Sequence, residues 1–362
     1  MQTAFLLLFL RGSDKIPQDI KSLTLEELTE EIERLGEKRF VAKQIFSWLH
    51  DKRVSSFDEM TDISKNLRRK LKNFFKIYDC TIEKKLCSVY DNTVKYLYRL
   101  HDGELIESVV MKYKYGYTIC VSSQVGCKMG CKFCASGIAG FVRNLTASEI
   151  LSQVYRSASD LDIRISHVVM MGVGEPLDNF DNVMRFLRLV TDEKGMNLSM
   201  RNISLSTCGV VSGINRLKEK KLQLTLSVSL HAPNDEIRSR TMPVNNKWGI
   251  DELLRACKSY AKATSRRISF EYAMIDGVND SDECAKELAS RLAGMLCHVN
   301  LIPVNSVKER DYKRSSDKRM KSFIAILEKK GITATVRRTL GSDINASCGQ
   351  LRRGQTAVER EV

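Results

Sequence analysis

The chain has 362 residues, 43% hydrophobic and 28% charged, ordinary proportions for a globular protein with material for a full enzyme core. Its formal net charge of +14 favours a polyanionic partner, because Lys and Arg gain by displacing counterions from phosphate, although a merely basic surface accounts for it as well. Eleven cysteines spread over so long a chain, four of them within Cys120–Cys134, argue against a disulfide framework and for metal or redox chemistry.

Near the start, the apolar run Ala4–Leu10 falls far short of the ~20 residues a transmembrane helix needs. No basic residue precedes it, as one would in a secretory signal, so residues 1–19 read as a dispensable or mis-assigned start. A cytoplasmic protein without membrane contact is expected. Thr24 and Glu27 form a capping box ahead of Leu25, Leu28, Ile32 and Leu35, and Gly36 ends that helix. A second helix carries Ala42, Ile45, Phe46 and Leu49, and a third, Ser64–Lys76, is strongly basic. Three β-prone segments follow, Cys80–Val89, Thr93–Leu100 and Leu105–Tyr113.

From Tyr117 the pattern becomes strand, loop, helix, repeated. Strands are expected at Tyr117–Ser122, Ser166–Met171, Ile203–Thr207, Leu224–Leu230, Ile268–Ile275 and His298–Val304, with amphipathic helices between them. Six β–α alternations imply a parallel sheet covered by helices, an incomplete barrel or a doubly wound α/β fold. A helix at Ser316–Lys330 and a strand at Thr333–Arg338 lead into a polar tail. The domain reading is 20–112 as an N-terminal helical accessory domain with a small β segment, 113–310 as the core, and 311–362 as a C-terminal helix–strand extension.

The strongest chemical signal is Cys127-x-x-x-Cys131-x-x-Cys134, in the loop after the first strand of the series. Three thiolates at this spacing can ligate three irons of a 4Fe–4S cubane and leave the fourth open. Zinc is the main rival, but a closed structural site needs four ligands and no second CxxC or HxxxH pair follows. A redox pair Cys131–Cys134 would leave Cys127 unexplained. In a parallel βα fold, ligands are met at the C-terminal ends of strands. Gly174 and Glu175 follow the second strand, Ser206 closes the third, Ser229, Leu230 and His231 the fourth, and Asn305 follows the sixth. Together these small and polar residues form one rim suited to a polar ligand.

The cysteine pattern, with Phe133 before its last member, resembles the radical S-adenosylmethionine superfamily. Cys120-Val-Ser-Ser-Gln-Val-Gly-Cys127, Phe141-Val-Arg-Asn-Leu, Met171-Gly-Val-Gly-Glu-Pro, Asn300-Leu-Ile-Pro and Cys348-Gly-Gln-Leu narrow the resemblance to the RlmN/Cfr family of RNA adenosine methyltransferases, over about Leu23 to Arg352. The resemblance implies an incomplete (βα)6 radical S-adenosylmethionine barrel and two molecules of S-adenosylmethionine per turnover. In that scheme Cys348 is first methylated, and a 5′-deoxyadenosyl radical then abstracts hydrogen from the S-methyl group. The methylene radical adds to adenine, Glu107 accepts the ring proton, and Cys120 attacks the Cys348 sulfur, releasing product as a disulfide forms. The implied partners are 23S rRNA, in some members tRNA, and an external electron donor of the flavodoxin or ferredoxin type.

Within the family, Val125 stands where the Cfr pattern has cysteine and Pro176 where it has alanine. The stretch between Asp343 and Cys348 is one residue longer, and the helical N-terminal module also resembles the RlmN branch, which methylates adenine C2. Asn345 departs from the usual Asp. The competing readings are Cfr-like methylation at C8 and a zinc-stabilised RNA-binding protein. RNA phosphates are expected at the third helix, the Lys308–Lys318 loop, and Arg337, Arg338, Arg352 and Arg353. Cys80, Cys87, Cys208, Cys257, Cys284 and Cys297 read as packing residues, and the polar segment around Cys348 as a mobile loop.

Overall fold

The computed structural model describes residues 17–305 and 307–352, so the apolar run near the start and Arg353 lie outside the described residues. The chain divides into two compact units, Met1–Tyr78 with Lys194–Met196, and Asp79–Glu193 with Asn197–Val362.

In the first unit, α1 (Leu25–Arg34) is opened by the expected box: Glu27 N donates to Thr24 Oγ1 at 3.3 Å, and Thr24 N donates to Glu27 Oε2 at 2.9 Å. It buries Leu28 and Ile32, while α2 (Arg39–His50) buries Ala42, Ile45, Phe46 and Leu49. Helix α3 (Lys65–Phe74) buries Leu67 and Leu71 and exposes Lys65, Arg69 and Lys72. It stops short of the expected Lys76 because Phe75–Lys76 turns extended and pairs in parallel with Gln18–Asp19, burying Phe75.

The second unit is built on one ten-stranded sheet. Strands β1 (Thr81–Cys87), β2 (Val94–Arg99), β3 (Leu105–Tyr113) and β4 (Gly116–Cys120) form an antiparallel meander. This corrects the expected domain boundary at 112/113. Residues 81–113 belong by backbone pairing to the main sheet, because β3 hydrogen-bonds directly to β4. A hairpin of β5 (Gln124–Gly126) and β6 (Phe141–Asn144) frames the cysteine loop. The parallel series then runs β4, β7 (Ile165–Met170), β8 (Ile203–Thr207), β9 (Thr225–Ser229), β10 (Ile268–Met274), β11 (Cys297–Pro303) and β12 (Ala334–Val336), adjacent in that order. Helices α4 (Ala147–Leu161), α5 (Phe180–Thr191), α6 (Val211–Lys220), α8 (Ile250–Thr264) and α9 (Asp282–Leu292) lie where the apolar periodicity requires. The seven-residue α7 (Asp235–Thr241), capped by Asn234, has no apolar period and is unexpected; α10 (Asp317–Lys329) precedes β12.

In β8 and β9, residues on the apolar face alternate with hydroxyl residues on the other, as a period of two dictates. In β8, Ile203, Leu205 and Thr207 are buried and Ser204 and Ser206 half-buried; in β9 the inward positions are Thr225, Ser227 and Ser229. One face of the sheet is thus apolar and the other unusually rich in hydroxyls, a composition that opens the interior instead of plugging it. Among the described residues no helix is long and apolar enough to cross a membrane.

Candidate active site

Cys127, Cys131 and Cys134, in the loop between β5 and β6, line one cavity. The hairpin demands glycine at its corner. Gly126 has φ +75°, and a Cβ there would lie 1.8 Å from Gly140 O. Cys127 N donates to Gly140 O at 3.0 Å and Lys132 N to Thr241 O at 2.8 Å, so the short α7 holds the loop from outside. Burial pushes the Cys127 thiol up to about 12 and Cys131 higher, and the neighbouring cysteines add to both shifts. Thiolates here need the compensating charge a metal supplies. Among the described residues no three His, Cys, Asp or Glu side chains converge to chelate one metal ion. Three thiols facing a shared cavity are a donor set for a cubane bound through three separate irons.

Most of the expected rim joins them. Gly174, Glu175, Ser206, Ser229, His231, Asn305 and Cys348 line the same cavity. Gly174 has φ +104° and leaves no room for a Cβ, which would meet Gln124 Cβ at 2.6 Å. Glu175 is buried, and its carboxylate accepts from Leu177 N at 3.0 Å and Cys208 N at 2.7 Å, so it ties the β7 and β8 ends together. His231, at φ +56°, accepts from Ala273 N through Nδ1 at 2.8 Å, which leaves the proton on Nε2. Burial, with Arg238 adding to it, drops His231 to about 3, so it is neutral at physiological pH. Leu230 departs from expectation. Its side chain is buried outside the cavity, and it acts through its carbonyl, which accepts from Arg238 Nε at 3.1 Å.

Cys120 is absent from this cavity and lines a smaller one beside it, shared with Cys348. Burial raises both thiols, Cys120 to about 12, while Arg337 acts against both shifts. Arg337 was expected to grip RNA phosphate; instead it lines both cavities, with Nη1 3.3 Å from Met171 Sδ and 3.8 Å from Glu271 Oε2. Glu107 is buried, not solvated: Oε1 pairs with Lys95 Nζ at 2.8 Å and Oε2 accepts from Arg352 N at 2.9 Å. The segment carrying Cys348 is tied down on several sides. Asn305 Nδ2 donates to Cys348 O at 2.9 Å, Ala135 N to Gly349 O at 2.8 Å, Ser136 Oγ to Leu351 O at 2.7 Å, and Lys95 Nζ to Asn345 O at 3.1 Å. Of the remaining cysteines, Cys80, Cys208, Cys257 and Cys284 are buried, Cys297 is half-buried, and Cys87 is exposed; Cys208 also lines the main cavity. Arg352 pairs with Glu309 at 3.0 Å.

Arg238 escaped sequence reading because a lone Arg in a short polar stretch resembles a surface charge. It is fully buried and donates to Leu230 O, Ser229 O at 3.2 Å, Cys208 O at 2.7 Å and Asn245 Oδ1 at 3.0 Å, clamping two strand ends at the cavity. Each buried acceptor left bare costs about 1–3 kcal/mol. Arg238→Ala is therefore expected to destabilise the chain by roughly 3 kcal/mol or more, read as a lower denaturation midpoint. An unchanged midpoint would show the clamp to be dispensable.

Residues 18–77 match the ribosomal RNA large subunit methyltransferase N-terminal domain, and residues 121–289 the radical SAM superfamily. The chain is 53% identical over 336 residues to a probable dual-specificity RNA methyltransferase RlmN of Clostridium novyi, covering 93% of this chain and 98% of that protein. It is 52% identical over 338 residues to the protein of the same description from Lachnoclostridium phytofermentans, covering 93% and 95%. The crystal structure of a radical SAM methyltransferase from Sphaerobacter thermophilus matches with a TM-score of 0.88 at 45% identity, covering 92% of this chain and 99% of that one. With the three-cysteine cavity, the ring of strand ends around it and relatives aligned over nearly its whole length, the chain belongs to the RlmN family of radical S-adenosylmethionine RNA methyltransferases.

Proposed function

We propose that this protein methylates C2 of an adenosine in 23S rRNA and in tRNA, with Cys348 as the carrier of the transferred carbon and Cys120 as the thiol that releases it. The observation that carries the reading is that Cys348 lines both the cavity of Cys127, Cys131 and Cys134 and the small cavity of Cys120. A carbon on its sulfur thus has the radical source on one side and the resolving thiol on the other. Cys127, Cys131 and Cys134 would hold a 4Fe–4S cluster, with Gly174, Glu175, Ser206, Ser229, His231 and Asn305 around S-adenosylmethionine. When bound, that pair supplies a methyl group from one molecule and a hydrogen-abstracting radical from a second, with the electron drawn from a flavodoxin- or ferredoxin-like donor.

The chain's own residues do the rest. Arg337 favours the thiolate of Cys348 for accepting methyl and of Cys120 for attacking sulfur. Once the Cys348 carbon is bonded to the base, Glu107 takes the ring proton, for which it must exchange its bond to Arg352 N. Attack by Cys120 on Cys348 Sγ forms the S–S bond and breaks the S–C bond, whose electron pair leaves with the carbon. That carbon takes a proton from solvent to become the methyl group, and the external electron donor would reduce the disulfide for the next turnover. Digestion of RNA treated with the reconstituted enzyme is expected to yield 2-methyladenosine from both substrates. A dominant C8 product would move the protein to the Cfr-like reaction.

A further inference from the structure

We infer that the strand N-terminal half of the barrel is a second binding site, built for a nucleoside phosphate. The inward residues there are polar neighbours in register: Ser204 opposite Thr225, Ser227 opposite Ser269, and Ser269 opposite His298. A closed barrel fills this layer with Val, Ile and Leu. Here it encloses a cavity of about 620 Å³, within the usual range for small-molecule sites. The cavity lies below the cysteine site and shares only Met171, Glu271 and Arg337 with it.

Its charge selects the ligand. Arg266, Arg267 and Arg337 line it against one carboxylate, Glu271, which is already engaged by Ser269 Oγ at 3.0 Å and Asn300 Nδ2 at 2.8 Å. Arg266 reaches only Thr225 Oγ1, at 3.4 Å, and its Nε is buried without a partner. His298 Nδ1 and the Thr118 hydroxyl, elsewhere in the lining, are likewise buried and unpartnered. Buried polar groups are normally satisfied, so three unmet ones around one cavity point to an occupant with hydrogen-bonding groups. At the end of β3 and in the turn after it, Tyr113 and Tyr115 also line the cavity and stack with centroids 5.0 Å apart, and Tyr115 is 62% exposed. An aromatic face, a bank of hydroxyls and the guanidinium groups of Arg266 and Arg267 answer a base, a ribose and a phosphate respectively.

The test is equilibrium dialysis of labelled adenosine monophosphate against the cluster-loaded enzyme saturated with S-adenosylmethionine, which keeps the upper site filled. One saturable site is expected, weakened about tenfold by Arg267→Ala, the loss expected for one charge-assisted hydrogen bond. Ser227→Leu, which fills the cavity, should abolish it. Arg267 is exposed, so its variant folds whatever becomes of the second. A 5′-phosphorylated oligonucleotide in parallel identifies the source: binding stronger than the mononucleotide's, with the same loss in Arg267→Ala, means an RNA end, and the reverse order a free nucleotide. No saturable binding of either probe, or binding indifferent to both substitutions, overturns the inference.

Discussion

Cys127→Ala, Cys131→Ala and Cys134→Ala are each expected to lose the iron–sulfur cluster and, with it, cleavage of S-adenosylmethionine. In the proposed assignment these three thiols are the donor set, one for each of three irons, so losing any one leaves an iron without its protein ligand. Cys208 lines the same cavity but is the residue to watch. It is buried, its thiol is raised well above the ordinary value by burial and then by Glu175, and its backbone is fixed to the Glu175 carboxylate. Iron and sulfide analysis of each anaerobically reconstituted variant should give far less than a full cubane. A full cubane in any of them would remove that cysteine from the ligand set.

The second large effect separates the two remaining active-site cysteines. Cys348→Ala should leave neither methylated protein nor methylated RNA, because the carbon has no acceptor. Cys120→Ala should still methylate Cys348 and still bond it to the base, since Cys120 lines only the adjoining cavity. Without a thiol to displace the sulfur, RNA has no route off the enzyme, and a covalent protein–RNA species should accumulate. A denaturing gel with labelled RNA checks this through a shifted, nuclease-sensitive band. Full turnover with no such band would make Cys120 a packing residue of its apolar cluster with Val109, Met111 and Leu351.

Much of this was legible before any coordinates. Strand β8 falls at the expected Ile203–Thr207 because alternation and flanking turns leave it no other register, and α8 occupies Ile250–Thr264 for the same kind of reason. The cysteine triplet and most strand-end residues meet because a parallel βα series gathers its strand ends on one rim. What stayed hidden depends on partners far away in the chain. Residues 81–113 looked like an appendage because nothing local reveals that β3 pairs with β4 and so extends the main sheet. Arg337 reads from the sequence as an RNA-phosphate contact and Arg238 draws no reading at all, yet each is held inside by groups that only folding supplies, Cys348, Glu271 and Cys120 in one case and strand-end carbonyls in the other. The tail around Cys348 looked mobile because its tethers, Lys95, Glu107, Asn305 and Ser136, are distant in sequence.

On the proposed reaction, Cys348 carries the carbon that reaches RNA. Mass spectrometry of the Cys348 peptide, from enzyme given S-adenosylmethionine with an isotopically labelled methyl group, addresses it directly. The label should appear on Cys348 before RNA is added, and then in adenine as it leaves the peptide. Labelled adenine from an enzyme whose Cys348 never carries the label would contradict it.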